Sequence, residues 1–184
     1  MYIYQLKCAM TVPRPRGEVF EMFENPRNLA LITPKYLGFE VLTAGELTMR
    51  VGLEIDYRFR WLGLPMRWRT LITEYDRLNH FVDEGVRCPY RLWRHRHEFF
   101  DAPGGTEVRD TVSYSLPFGV VGRMPNVLTV HRQLLDIFGY RQRTLNAHWG
   151  GDALITWPTI QALGPEASLP ETASPATRRR VTRP

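Results

Sequence analysis

The chain has 184 residues, a formal net charge of +5, 43% hydrophobic and 23% charged residues. That is one domain's length, enough to bury a sizeable core, with the composition of an ordinary globular protein. No window approaches the roughly 18 uninterrupted apolar residues that a membrane span needs. Cys8 and Cys88 lie in unrelated contexts, so neither a disulfide framework nor a zinc site is expected.

The N-terminus alternates like a strand and lacks the apolar run of a signal peptide, so a reducing cytoplasm is the expected location. Much of the positive charge is local. Residues 165–184 carry Arg178, Arg179, Arg180 and Arg183 against only Glu166 and Glu171. A modestly basic body with a basic tail is weak evidence for nucleic acid, and none is expected as a partner.

Residues 1–12 read as a strand stopped by Pro13 and Pro15. Val19, Phe20, Met22 and Phe23 give residues 16–24 the spacing of a short amphipathic helix. Asn25-Pro26 breaks it and starts a second short helix, with Asn25 as cap and Pro26 at its first position, ending near Ile32. Strands follow at Phe39–Leu42, Leu53–Trp61, Met66–Tyr75 and His80–Val86. Tyr57, Phe59 and Trp61 share one face, as do Trp68, Thr70 and Ile72, and then Phe81, Asp83 and Gly85.

Residues 90–116 carry the sharpest pattern. Two arms of period two flank a Pro-Gly-Gly cluster, which reads as an antiparallel hairpin centred on Pro103-Gly104. Trp93, His95, His97 and Phe99 share a face on the first arm, and Val108, Asp110, Val112 and Tyr114 on the second. These are the more apolar faces and should point inward. The register pairs His97 with Asp110 and His95 with Val112, and the preceding hairpin sets Asp83 beside His95 and Phe81 beside His97. The opposite faces carry Arg67, Arg69, Arg91, Arg94, Arg96 and Arg109, expected as a solvated stripe balanced in part by Glu74, Glu98 and Glu107.

Residues 125–149 are helical, with Leu128, Leu134, Leu135, Phe138 and Leu145 in a stripe. The domain therefore spans 1–149. Residues 150–163 form an extension expected to fold back through Trp157. Residues 164–184, rich in Pro, Ala, Thr and Arg, cannot bury enough surface to order themselves.

The order is strand, two short helices, antiparallel strands and one long helix. It is carried by Asn25-Pro-Arg-Asn-Leu29, Ile32-Thr-Pro34, Gly63-Leu-Pro-Met-Arg-Trp68, Phe81-Val-Asp83, Pro89-Tyr-Arg-Leu-Trp93, His95-Arg-His97, Arg109-Asp110 and Ile137-Phe-Gly-Tyr-Arg141. In these residues the chain resembles the START-like or helix-grip superfamily, of the polyketide cyclase/dehydrase and lipid transport type, over about residues 2–148. The resemblance implies an α+β fold, with a curved antiparallel sheet of about seven strands wrapped around the long C-terminal helix. It implies a cavity for a small hydrophobic ligand and leaves function open, since a fold does not fix chemistry.

Candidate ligand-binding residues are Tyr57, Phe59, Trp68, Phe81, Asp83, Trp93, His95, His97, Asp110 and Tyr114. A buried carboxylate is costly unless paired, and an adjacent imidazole solves that problem. His/Asp pairs inside the domain would orient a polar group of the ligand. As general acid and base, His97 and Asp110 would instead serve a cyclase or dehydratase. A third reading is an interaction module acting through the basic tail. No metal or other cofactor is expected: His95 and His97 share a face, but a third protein ligand is not obvious, and carboxylates at 83 and 110 suit supporting roles equally well.

Overall fold

The computed structural model describes residues 1–61, 63–116 and 123–164. Among the described residues eight antiparallel strands form one sheet, with a short helix after the first strand and a long one before the last. In chain order these are β1 (Ile3–Val12), α1 (Arg16–Glu24), 3₁₀ turns at Pro26–Ala30 and Lys35–Leu37, β2 (Glu40–Val41), β3 (Glu54–Trp61), β4 (Leu64–Asp76), β5 (His80–Arg87), β6 (Leu92–Ala102), β7 (Gly105–Ser115), α2 (Arg123–His148) and β8 (Leu154–Gly164). The sheet order is β2-β3-β4-β5-β6-β7-β1-β8. Sequential hairpins account for all of it except β1, which inserts between β7 and β8.

The α+β architecture expected from the sequence is the one observed, with two differences of detail. The second short helix is a 3₁₀ turn, opened as expected by Asn25, whose side chain accepts from the Arg27 N–H at 3.0 Å. The sheet has an eighth strand because residues 154–164 fold back as β8 along β1. Pro158 is tolerated there because β8 is an edge strand, where a missing N–H costs no ladder bond. Trp157 remains half exposed. The tail beyond Gly164 lies outside the described residues.

Register follows the turns. Ala102 pairs with Gly105 around Pro103-Gly104, so His97 pairs with Asp110, His95 with Val112 and Trp93 with Tyr114. Gly104 takes φ +80°, the conformation a type II turn requires after proline. On the other side, β5 sets Asp83 against His95 and Phe81 against His97. Register shifts between Arg69 and Thr70 and between Ile72 and Glu74 in β4 mark bulges, which bend and twist a sheet.

α1 buries Val19, Phe20 and Phe23 in a cluster with Ile55, Ile72, Phe81, Phe99 and Val108. α2 packs Val130, Leu134 and Phe138 against Leu6, Val112 and Tyr114. Leu128, expected in that stripe, is mostly exposed, and Val130 takes the inward position. Gln142 anchors the helix to both strands at the sheet edge, its side-chain N–H₂ donating to the Ala9 and Thr156 carbonyls at 3.0 Å each. The Trp61 indole N–H donates to Gln133, tying β3 to α2.

The arginine stripe is not simply solvated. Arg94 is buried, its guanidinium 2.6 Å from Glu74 and 3.4 Å from Glu84. Arg96 meets Glu74 at 2.7 Å and Glu98 at 3.1 Å, and Arg69 meets Asp56 at 2.8 Å. Cross-strand neighbours of opposite charge have turned much of the face into an ion-pair network.

Candidate functional site

Between the sheet and α2 lies a cavity of about 590 Å³. Alternation along the strands supplies one wall: Tyr57, Phe59 and Trp61 from β3, Trp68, Thr70 and Ile72 from β4, Phe81 and Asp83 from β5, and Trp93, His95 and His97 from β6. The opposite wall is one face of α2, with Val127, Val130, Leu134, Ile137, Phe138 and Arg141. Their spacing of three, four and seven puts them in line on a helix. Met22, Phe23 and Leu29 contribute from α1 and the turn after it.

Of the ten candidate ligand-binding residues, eight line this cavity. Asp110 and Tyr114 do not. Asp110 lies behind the two histidines on β7, and Tyr114 is fully buried in the core that α2 covers. Both share the inward face of β7, but an inward direction reaches the cavity only where no other side chain intervenes.

The polar cluster is a closed ring rather than two separate pairs. His95 Nε2 lies 3.1 Å from Asp110 Oδ1, and His97 Nδ1 lies 2.7 Å from the same oxygen. The second contact is short but off hydrogen-bond alignment, so it acts as a charge contact. On the other side, Asp83 Oδ2 sits 3.4 Å from His95 Nδ1 and 3.6 Å from His97 Nε2. The two imidazoles are 3.8 Å apart between centroids, and Phe81 stacks on His97. The thiol of Cys8 faces the remaining oxygen of Asp110 at 3.9 Å.

Burial opposes charge on every member of the ring, and position decides which members keep it. For Asp110 burial is outweighed by the charge and contacts of His97 and His95, so its carboxyl is held well below the ordinary range. For Asp83 it is outweighed by His97, His95 and Arg141, with the same direction. Burial also works against His97, but the charge of Asp110 overrides it and raises its pKa. His95 goes the other way, lowered by burial and then by the positive charge of His97. Burial pushes the Cys8 thiol up, keeping it protonated. The ring thus favours the charged forms of Asp110, Asp83 and His97 and the neutral form of His95.

Arg141 was missed by reasoning from sequence and completes the charge balance. It is buried in the cavity wall, its guanidinium carbon 4.7 Å above the Phe138 ring, and its Nε has no hydrogen-bond partner. A signal was available: Arg141 follows Leu134 by seven positions and Phe138 by three, so it interrupts the apolar stripe of α2 on the face toward the sheet.

No protein-family model and no curated protein matches the sequence. Solved structures do. The chain is similar to protein Ms6760 from Mycobacterium smegmatis, at 17% identity over 78% of this chain and 89% of that one, with a TM-score of 0.56. It is similar to the major latex-like protein 151 of Panax ginseng, at 17% identity over 80% and 98% of the two chains and a TM-score of 0.60. Protein CV1439 from Chromobacterium violaceum matches at 15% identity over 80% and 98%, also with a TM-score of 0.60. No helix among the described residues is long and apolar enough to cross a membrane. The chain has the helix-grip fold, the architecture of the START-like superfamily that its sequence resembles.

Proposed function

We propose that this protein binds a small hydrophobic or aromatic molecule in the cavity between the sheet and α2, with the His/Asp ring and Arg141 orienting a polar group of that molecule. The observation that carries the reading is the cavity's composition. A volume of about 590 Å³ falls within the usual range for small-molecule sites, roughly 300–1,000 Å³. Its walls are mostly aromatic and aliphatic, and its few polar groups converge from β5, β6 and α2. With two carboxylates set against His97 and Arg141, the charged groups balance. A neutral hydroxyl or carbonyl is therefore favoured over a free anion.

Native mass spectrometry of protein purified from its own host, followed by extraction, tests this. A retained hydrophobic compound carrying one or two oxygens is the expected result. A protein that comes out empty and takes up no apolar fluorescent probe would overturn it.

A second reading, a cyclase or dehydratase, draws on the asymmetry of the two imidazoles. Two imidazoles whose pKa values are pushed in opposite directions, His97 up and His95 down, stand side by side in the cavity wall, with Asp110 contacting both. That arrangement suits acid/base work on a bound carbonyl compound. Turnover of the extracted compound by the native protein, lost in a folded His97→Ala variant, is the outcome this reading requires.

A further inference from the structure

We infer that Asp83, His95 and His97 form a binding site for a divalent transition-metal ion of the zinc type, with its open positions facing the cavity. The sequence pattern offers two histidines on one face of β6 and no obvious third ligand. The third comes from the neighbouring strand, where the β5–β6 register places Asp83 directly opposite His95.

Three features support a metal over a simple hydrogen-bonded ring. First, one donor atom from each residue lies within 4.8 Å of the others. The Asp83 Oδ2 distances of 3.4 and 3.6 Å to His95 Nδ1 and His97 Nε2 are long for hydrogen bonds. They match the separation between neighbouring ligands of an ion whose bonds are about 2.0–2.2 Å.

Second, the far nitrogen of each ring is occupied by the same carboxylate. His95 Nε2 and His97 Nδ1 both contact Asp110 Oδ1. A carboxylate behind a ligating histidine fixes the ring's orientation and raises its basicity. As metal ligands both rings would be neutral, each turning the lone pair of its cavity-side nitrogen, His95 Nδ1 and His97 Nε2, toward the Asp83 carboxylate, with the His97 proton released on binding. A cation placed among these three atoms would join them.

Third, the site is open on one side only. Asp83, His95 and His97 line the cavity and Asp110 does not. A tetrahedral or five-coordinate ion would keep at least one position for water or for an oxygen of the cavity's occupant. Two imidazoles and one carboxylate favour zinc, iron(II), cobalt or nickel over magnesium or calcium, which prefer all-oxygen shells. With His97 neutral as a ligand, two carboxylates, a dication and Arg141 leave one net positive charge, so the loaded site would take an anionic oxygen in place of the neutral group that the metal-free cavity favours. The inference deepens the cavity reading by naming its polar anchor, and its geometry stands without that reading.

The test uses the full chain after treatment with a chelator. Titration with Co²⁺ should give visible absorption bands that saturate at one equivalent and disappear on adding Zn²⁺, while Mg²⁺ gives none. Asp83→Asn and His97→Asn should each abolish the bands, and Asp110→Asn should weaken binding by about 10- to 100-fold. His80→Gln, remote from the ring, should bind as the parent does. Absence of Co²⁺ bands and of any Zn²⁺ binding heat in the folded, metal-free parent would overturn the site, whatever the variants do. So would binding that survives Asp83→Asn combined with His97→Asn. An apolar fluorescent probe, titrated into the same metal-free protein, reports on the cavity separately, so failure of one reading is distinguishable from failure of the other.

Discussion

Phe81 stacks on the imidazole of His97, with ring centroids 4.3 Å apart and planes inclined by 29°. The two residues are directly paired across β5 and β6, and Phe23 meets the same imidazole edge-on. The imidazole whose charged form Asp110 favours is thus packed between two aromatic rings. Phe81→Leu keeps the bulk and removes the ring face. It should destabilise the protein by about 1 kcal/mol, read by urea denaturation, whereas Phe81→Ala should cost about 3–5 kcal/mol. Little or no cost for Phe81→Leu would mean that Phe81 acts by volume alone, and equal costs for the two variants that the ring face carries the whole effect.

Of the two carboxylates, Asp110 is the one that both histidines approach more closely, at 3.1 and 2.7 Å. Replacing it with asparagine leaves the buried His97, whose charged form Asp110 favours, facing only Asp83. The expected loss is about 3–5 kcal/mol, the cost of breaking a buried charge pair from one side. A double-mutant cycle with His97→Gln should recover part of that loss, because the second change removes the stranded charge. Strict additivity in urea denaturation would show that the two groups are not coupled.

The network on the other side of the sheet makes a prediction about acid. Burial opposes ionisation of Glu74, but the hydrogen bond from Arg96 and the charge of Arg94 outweigh it and hold its pKa below the ordinary 4.5. A lowered folded-state value means the stabilisation is fully present above about pH 4.5 and is lost as pH falls through that lower value. Glu74→Gln should therefore cost about 1.5–3 kcal/mol at neutral pH. The gap between variant and parent should close on acidification below pH 4.5. A constant gap in melting temperature from pH 7 to pH 3 would contradict this.

Much of the ring was legible in the sequence because its determinants are local. Period-two alternation put His95, His97 and Asp110 on inward faces, and Pro103-Gly104 set the register that pairs them. Asp83 entered through the adjacent hairpin in the same way. What local patterns do not carry is depth: Asp110 and Tyr114 point inward yet stand behind other side chains, and nothing in alternation separates the wall of a cavity from the layer beneath it. Burial of Arg94 on the outer face was illegible for a related reason, since it depends on Glu74 and Glu84 reaching across from β4 and β5. The fold-back of β8 was only partly legible, because Pro158 argues against a strand until its position at the sheet edge is known.

Two adjacent glycines in the central turn should respond differently to the same substitution. A Cβ on Gly105 would lie 1.9 Å from the carbonyl oxygen of Val12, so the ends of β1 and β7 would have to separate. Gly104 has open space around it but a φ of +80°. Gly104→Ala should cost about 1–2 kcal/mol, the price of a left-handed conformation. Gly105→Ala should cost more, at least about 3 kcal/mol, since rigid backbone rather than a side chain must move. Thermal unfolding of the two variants gives the order directly, and the reverse order would refute the close approach as the constraint.

Arg141 brings sheet and helix into one site. The strands supply Asp83, His95 and His97 to one wall of the cavity, with Asp110 behind them, and α2 supplies a cation from the other. Its Nε is buried without a partner, a cost that an oxygen of a bound molecule would relieve. Arg141→Met keeps most of the volume over Phe138 and removes every donor. A ligand bearing a hydroxyl or carbonyl should then lose at least about tenfold in affinity, the equivalent of 1.4 kcal/mol, because a hydrogen bond from a charged group is worth about that or more. A hydrocarbon analogue of the same shape should bind equally well to both proteins. Displacement of an apolar fluorescent probe measures both affinities. A parallel fall for the two ligands would reduce Arg141 to a part of the wall, and an unchanged affinity for both would remove it from the site.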